Sequence, residues 1–119
     1  MKLYESAEDY LETILILAQQ LEHVHAVDIA RHLNFTKASV SIAMHKLKDN
    51  GYITIASDGS ISLKTKGKKI ATAVYDRHLI ISKLLIDLGV PKDIALDDAC
   101  KIEHDISEET FEALKKKVK

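Results

Sequence analysis

Residues 26–63 have the sequence AVDIARHLNFTKASVSIAMHKLKDNGYITIASDGSISL, and the pattern within them sets the architecture of the chain. Apolar side chains at helical spacing predict a short helix over 26–33. Asn34 and Phe35 form a brief break, and Thr36 is placed to cap the next helix. The inner face of that helix is expected to consist of Val40, Ala43, Met44 and Leu47.

The second half of this stretch predicts a β-hairpin. Asn50-Gly51 ends the preceding helix, because both residue types tolerate the left-handed conformation of a C-terminal cap. Short β-type runs follow at 52–55 and 61–63, and the Asp58-Gly59 pair between them favours a tight turn. Helix, short turn, helix and hairpin in this order predict a winged helix-turn-helix.

Another helix is expected before this unit, over 6–21. Ser6 and Asp9 are spaced as a capping pair at its start. Its apolar stripe recurs at helical spacing and consists of Tyr10, Ile14, Leu17 and Leu21.

Three more helices are expected after the hairpin. Thr65 is placed to cap a long fourth helix, which Gly89 closes. Pro91 starts a fifth helix over 93–105, and Ser107 caps a sixth.

The predicted fold class is therefore mainly α. A winged helix-turn-helix domain is expected over 1–72 and an α-helical domain over 73–119. No low-complexity linker separates them, so the boundary is expected inside the fourth helix, near 71–74.

Composition excludes several classes of protein. The 119 residues are 46% hydrophobic and 29% charged, which is typical of a globular chain rather than a disordered one. No apolar run approaches the ~20 residues of a membrane span. The N-terminal residues lack the apolar core of a signal peptide, so we expect a cytoplasmic protein. A single cysteine, Cys100, rules out an internal disulfide framework.

The net charge of −1 conceals a local asymmetry. Between residues 31 and 69 there are eight Lys or Arg and two acids, whereas between 91 and 112 there are eight acids and two lysines. Nucleic-acid binding requires only one basic face. On charge alone, two ordinary solvated faces explain the asymmetry equally well.

The helix after Thr36 carries small and polar residues near its start, as a helix entering a major groove requires. The candidate DNA-binding residues are Thr36, Lys37, Ala38, Ser39 and Ser41 at this start, with Lys46, Lys64 and Lys66 for phosphate contacts. This helix has no arginine, so strong guanine readout is not expected. A winged helix that binds protein instead of DNA is the alternative.

Several side chains are spaced as metal ligands. The candidates are Asp9, Glu12, His78, Cys100, Glu103 and His104. The first two stand three residues apart on the predicted first helix, and the last three cluster on the fifth, so each group can share a helix face. Carboxylates, imidazoles and a thiolate suit first-row divalent metals.

Each candidate ligand also has an ordinary explanation. Asp9 can be a first-turn charge near a helix N-terminus. Glu12 and Glu103 can be solvated carboxylates. Cys100 can be a small buried hydrophobe, and His78 a surface residue.

Six segments carry a resemblance to a known family: AEDYLETI (7–14), VDIA (27–30), SVS (39–41), TKGKKI (65–70), RH (77–78) and CKIEHDIS (100–107). In order and spacing the chain resembles the metal-dependent transcriptional repressors related to the diphtheria toxin repressor and the manganese transport regulator. The resemblance implies a winged-helix DNA-binding domain followed by a helical dimerisation domain that also binds metal.

The resemblance also implies a ligand set. Manganese-type members use an Asp and a Glu on the first helix, a His on the fourth, and two Glu and a His on the fifth. Five of those six positions hold the matching residue: Asp9, Glu12, His78, Glu103 and His104. Cys100 replaces a Glu, as in iron-type members, which however carry Met where Asp9 stands. The ancillary Glu of iron-type members corresponds to Ser82 here, and we expect no third, SH3-like domain within these 119 residues.

The implied function is a dimeric, metal-activated repressor of metal-uptake genes. Its expected cofactor is Mn(II) or Fe(II), with Zn(II) or Co(II) also compatible. Its expected partners are a palindromic double-stranded DNA operator and a second copy of the chain, with no membrane and no small organic substrate. Bound metal is expected to fix the dimer in the arrangement that binds DNA.

Two alternatives stay open. One is a metal-independent winged-helix regulator whose acidic half is only a dimer interface. The other is a small metallohydrolase, but the sequence has no HExxH motif and no identifiable pairing of base and oxyanion donors. We therefore expect no enzymatic activity.

Overall fold

The computed structural model of the chain describes residues 5–118, and the fold is mainly helical, as predicted. Its elements are α1 Glu5–Ala18, α2 Ala26–Leu33, α3 Lys37–Asp49, β1 Ile53–Ile55, β2 Ile61–Leu63, α4 Thr65–Asp87, α5 Lys92–Ile102 and α6 Glu108–Lys115. Two compact units divide the chain between Thr72 and Ala73, inside α4.

The helix-turn-helix of the first unit forms as predicted. Asn34 adopts the left-handed conformation (φ 59°), and its N–H donates to the Ala30 carbonyl, which ends α2. The Thr36 Oγ1 then accepts the Ser39 N–H at 3.2 Å and caps α3. The predicted inner face of α3 is confirmed, since Val40, Met44 and Leu47 are buried and Ala43 is partly buried.

The two strands form an antiparallel hairpin in which Ile53 pairs with Leu63 and Ile55 with Ile61. Asp58 Oδ1 accepts the Ser60 N–H at 3.0 Å and stabilises the turn. The first strand starts one residue later than predicted, because the Tyr52 N–H still donates to the Leu47 carbonyl at the end of α3. Val24 forms an additional antiparallel bridge with Ile61.

The predicted bounds of the first helix are wrong at both ends. α1 already includes Glu5, so Ser6 lies inside the first turn and does not cap the helix. The helix ends at Ala18, and Leu21 is 39% exposed instead of extending the apolar stripe. The chain must leave the helix early, because Val24 has to reach Ile61 in an extended conformation.

The core of the first unit is apolar and is supplied by every element of the winged helix. Its largest fully buried side chains are Leu11, Ile14, Ile29, Val40, Met44 and Ile53. Packing of these residues fixes α3 against α1 and α2 and leaves the opposite face of α3 exposed.

The second unit contains most of α4 together with α5 and α6. Gly89, with φ 103°, ends α4 as predicted, and Pro91 precedes the first residue of α5. The Ser107 Oγ caps α6 by accepting the Thr110 N–H at 3.1 Å. Thr65 is itself the first residue of α4, so it does not cap that helix as predicted.

The fifth helix ends at Ile102, not at 105 as predicted. Glu103 keeps helical backbone angles and donates its N–H to Ala99, but the Asp105 N–H turns back to Ile102 in a tighter pattern. Among residues 5–118, no helix is both long enough and apolar enough to cross a membrane.

Gly67, near the start of α4, lies directly against the backbone of Tyr52. In Gly67→Ala the new Cβ would overlap the Tyr52 carbonyl oxygen, which is backbone and cannot move aside. Such overpacking costs up to about 3 kcal/mol, which outweighs the ~1 kcal/mol that alanine gains over glycine in helix propensity. Thermal or urea unfolding should show a net loss of about 2 kcal/mol. Thr72→Ala, at an exposed position of the same helix, is the control and should lose nothing.

Candidate functional site

A cluster of three potential metal ligands lies in the second unit. His78 on α4, Cys100 on α5 and Glu103 just after α5 each offer one ligand atom, and these atoms lie within 4.8 Å of one another. Glu103 stays one helical turn from Cys100, because its backbone keeps helical angles beyond the last helical residue.

The carboxylate of Glu103 is the buried centre of this cluster, since the residue is only 1% exposed. Its Oε2 lies 3.1 Å from His78 Nδ1. Its Oε1 accepts no hydrogen bond from the described residues and lies 3.5 Å from His104 Nε2. Burying this carboxylate is costly unless a cation lies beside it. Together with an imidazole and a thiol, it fits a first-row divalent metal ion.

The pKa of His78 is set by the other members of this cluster. Its contacts with Cys100 and then with Glu103 raise its pKa to about 10, against the opposing effect of burial. In the metal-free protein the ring is therefore held as an imidazolium beside the Glu103 carboxylate. Because a histidine must be neutral to bind a metal, a metal ion held by His78 would displace this proton.

His104 is placed differently from the prediction. Glu103 and His104 were both expected on the fifth helix, but both lie in the turn that follows it. The side chain of His104 is nevertheless 2% exposed and remains beside the Glu103 carboxylate.

Asp9 and Glu12 lie on α1 of the first unit, three residues apart as the sequence predicted. Glu12 is 6% exposed, so neither it nor Glu103 is a solvated carboxylate. Cys100 is exposed, which excludes the alternative of a small buried hydrophobe. The full six-residue ligand set stays a prediction.

The candidate DNA-binding residues lie at the start of α3, near its end and around the start of α4. All are exposed apart from the half-buried Ser41, and they are Thr36, Lys37, Ala38, Ser39, Ser41, Lys46, Lys64 and Lys66. Lys66 also has structural contacts, because its Nζ donates to the Asn50 carbonyl at 3.3 Å and lies 4.2 Å from the Tyr52 ring centroid. Their contacts with DNA stay a prediction.

Sequence reasoning missed two residues near these sites. Ile42 is 61% exposed on the outward side of α3, and its position outside the apolar stripe of that helix was the available signal. Arg77 was noted only as part of a sequence motif, yet its guanidinium donates to the Glu103 carbonyl at 3.1 Å.

Comparison with known proteins agrees with both halves of the chain. Residues 2–61 match the family model of the iron dependent repressor N-terminal DNA binding domain. Residues 64–119 match the model of the iron dependent repressor metal binding and dimerisation domain. The chain belongs to the iron-dependent repressor family. The resemblance that the sequence motifs indicated is thereby confirmed.

Individual relatives agree with this assignment. The chain is 32% identical over 111 residues to the transcriptional regulator MntR of Escherichia coli O6:H1, covering 93% of this chain and 72% of that protein. It is 31% identical over 118 residues to the diphtheria toxin repressor of Corynebacterium diphtheriae, covering 98% of this chain and 52% of that protein.

A solved structure of a manganese-dependent transcriptional repressor in complex with manganese matches with a TM-score of 0.84 and 26% identity. That match covers 93% of this chain and 51% of the solved one, so this chain spans about half the length of the solved protein.

Proposed function

We propose that this repressor-family chain is a homodimeric transcriptional repressor that binds operator DNA when a divalent metal ion is bound. The observation that carries the proposal is the buried Glu103 carboxylate beside His78 and Cys100, in the half of the chain that matches the metal-binding family model. The proposed cofactor is Mn(II) or Fe(II), and Zn(II) or Co(II) suit the same donors.

The proposed ligands are Asp9, Glu12, His78, Cys100, Glu103 and His104. The four later residues are supported by their proximity in the second unit, and the first two by their spacing on α1 and by the family resemblance. A bound divalent cation supplies positive charge to buried carboxylates. His78 would hold the ion as a neutral imidazole after giving up its proton, and Glu12 and Glu103 would contribute carboxylate oxygens.

The proposed metal ligands come from residues on both sides of Thr72. Metal binding would therefore select one arrangement of the chain. In the dimer, that arrangement would present two copies of α3 at a separation that matches a palindromic operator, about one helical turn or ~34 Å. By reciprocity, operator DNA strengthens metal binding by the same factor.

The metal-independent alternative is not favoured, because the second half of the chain matches a metal-binding domain. The two are separated by measuring operator binding anaerobically while titrating Mn(II), Fe(II) and Zn(II). A metal-activated repressor loses operator affinity on chelation, whereas DNA binding that is indifferent to chelator contradicts the proposal.

Glu103→Ala is expected to abolish metal-stimulated DNA binding while the dimer persists. Metal affinity should fall at least about 10-fold, since even the outer partners of metal ligands are typically worth that much. Calorimetric metal titration, operator binding and sedimentation measure the three quantities. Glu103→Gln removes the same charge while keeping the side-chain volume. Glu109→Ala, at an exposed position of α6, is the control. Unchanged metal dependence in both Glu103 variants would remove this residue from the site.

Cys100→Glu is expected to favour Mn(II) over Zn(II) as activator, relative to the natural chain. A thiolate is softer than a carboxylate, so the natural Cys100 extends the response toward softer ions. Activation curves for Mn(II) and Zn(II) should be compared among the natural chain, Cys100→Glu and Cys100→Ala. The same metal preference in all three folded proteins would show that the thiol is not a ligand.

Lys37→Ala is expected to weaken binding to all DNA sequences alike and to lower the salt slope by about one unit, as loss of a phosphate contact does. Lys83→Ala removes a lysine that pairs with Asp87 on α4, and it should leave the slope unchanged. The measurement is operator affinity against salt concentration for specific and unrelated duplexes. A change of base preference at one operator position would instead assign Lys37 to base readout.

A further inference from the structure

Arg77 immediately precedes the candidate ligand His78 on α4, and its guanidinium contacts three separate groups. One terminal nitrogen, Nη1, donates to the carbonyl of Glu103 at 3.1 Å and to the carbonyl of Ile106 at 3.1 Å. The other, Nη2, donates to the Glu108 carboxylate at 2.8 Å. The Arg77 side chain is 17% exposed, and its bonds to the two carbonyls are partly buried, whereas its pair with Glu108 is exposed.

The two carbonyls belong to the turn that carries Glu103 and His104. Both carbonyls lie beyond Ile102, the last residue of α5. Arg77 donates to both from α4 and thereby holds the turn after the helix in place.

Adjacent residues of α4 hold Glu103 at its two ends. His78 Nδ1 contacts the carboxylate at 3.1 Å, and Arg77 binds the main-chain carbonyl of the same residue. A side chain fixed at both the backbone and the carboxylate has little freedom to change rotamer. Glu103 is thus oriented before any ion arrives.

The guanidinium is itself fixed from the far side. The Glu108 carboxylate binds it at the start of α6, and its Cζ lies 5.1 Å from the centre of the Phe111 ring. The planar guanidinium of arginine presents its donors in a fixed fork while one face lies near the ring, a geometry that the ammonium group of lysine does not reproduce.

We propose that Arg77 is a positioning residue of the metal site. It sets metal affinity by holding the backbone of the turn 103–106, without contacting the metal. This inference rests on the proposed function, because it concerns the same metal site, but the hold on the turn exists in the metal-free protein and is measured there.

The test compares Arg77→Met, Arg77→Lys and the natural chain. Mn(II) affinity is measured by calorimetric titration at a temperature well below unfolding of every variant, and amide hydrogen exchange of residues 103–107 is measured without metal. For Arg77→Met we expect affinity to fall about 10- to 100-fold, as for other partners that orient ligands. Exchange in the turn should accelerate. Arg77→Lys keeps the charge but reaches fewer acceptors, so it should lie between the two.

Lys83→Met is the matched control, because it also removes one cation from α4, together with the exposed pair that this cation forms with Asp87. It should change neither Mn(II) affinity nor exchange in the turn. A purely structural role for Arg77 would lower the melting temperature while leaving affinity well below that temperature unchanged.

The outcomes distinguish this inference from the proposed function. A natural chain that binds no divalent metal refutes both. If the natural chain binds Mn(II) and folded Arg77→Met binds it with an affinity within twofold, the role of Arg77 is refuted and the proposed function stands. If Arg77→Met does not fold, Arg77→Lys is the deciding variant. An Mn(II) affinity in Arg77→Lys equal to that of the natural chain overturns the inference.

Discussion

The second unit is organised around one buried carboxylate, that of Glu103. An acid that is 1% exposed, with an oxygen that accepts no hydrogen bond from the described residues, is an expensive feature in a chain of this size. Two histidines lie against its oxygens, and an arginine binds its backbone. Removing a single partner of such a group typically costs more than replacing the whole set by apolar side chains. A binding function accounts for its retention better than stability does.

The same carboxylate explains the unusual state of His78. The pKa of about 10 reflects contacts with the thiol of Cys100 and with Glu103, which outweigh burial of the ring. In the metal-free protein, the His78 imidazolium is a positive charge beside this carboxylate. If His78 is a metal ligand as proposed, metal and proton would compete for its ring, and metal binding would tighten as pH rises toward 10.

Much of the fold followed from local rules in the sequence. The second helix, the Thr36 cap, the Gly89 terminus and the second strand lie where spacing and turn residues placed them. Errors occurred where distant residues compete with local propensity. α1 stops early because Val24 pairs with Ile61, and the turn that follows α5 is held by Arg77 from α4. No property of residues 93–105 alone predicts that contact.

The candidate site also was predictable from the sequence only where the relation between its residues is local. Spacing identified Cys100 and Glu103 as neighbours, because that relation is local, whereas only the structure shows that His78, a candidate on another helix, lies beside them. Spacing could not show that Glu103 is buried while Cys100 is exposed, although this difference governs their chemistry. A buried hard carboxylate, oriented from both ends, has little freedom to follow ions of different size. Cys100, by contrast, is an exposed and soft thiol. In the proposed metal site, the carboxylate would set where a divalent ion is held, and the thiol would adjust which ion is preferred.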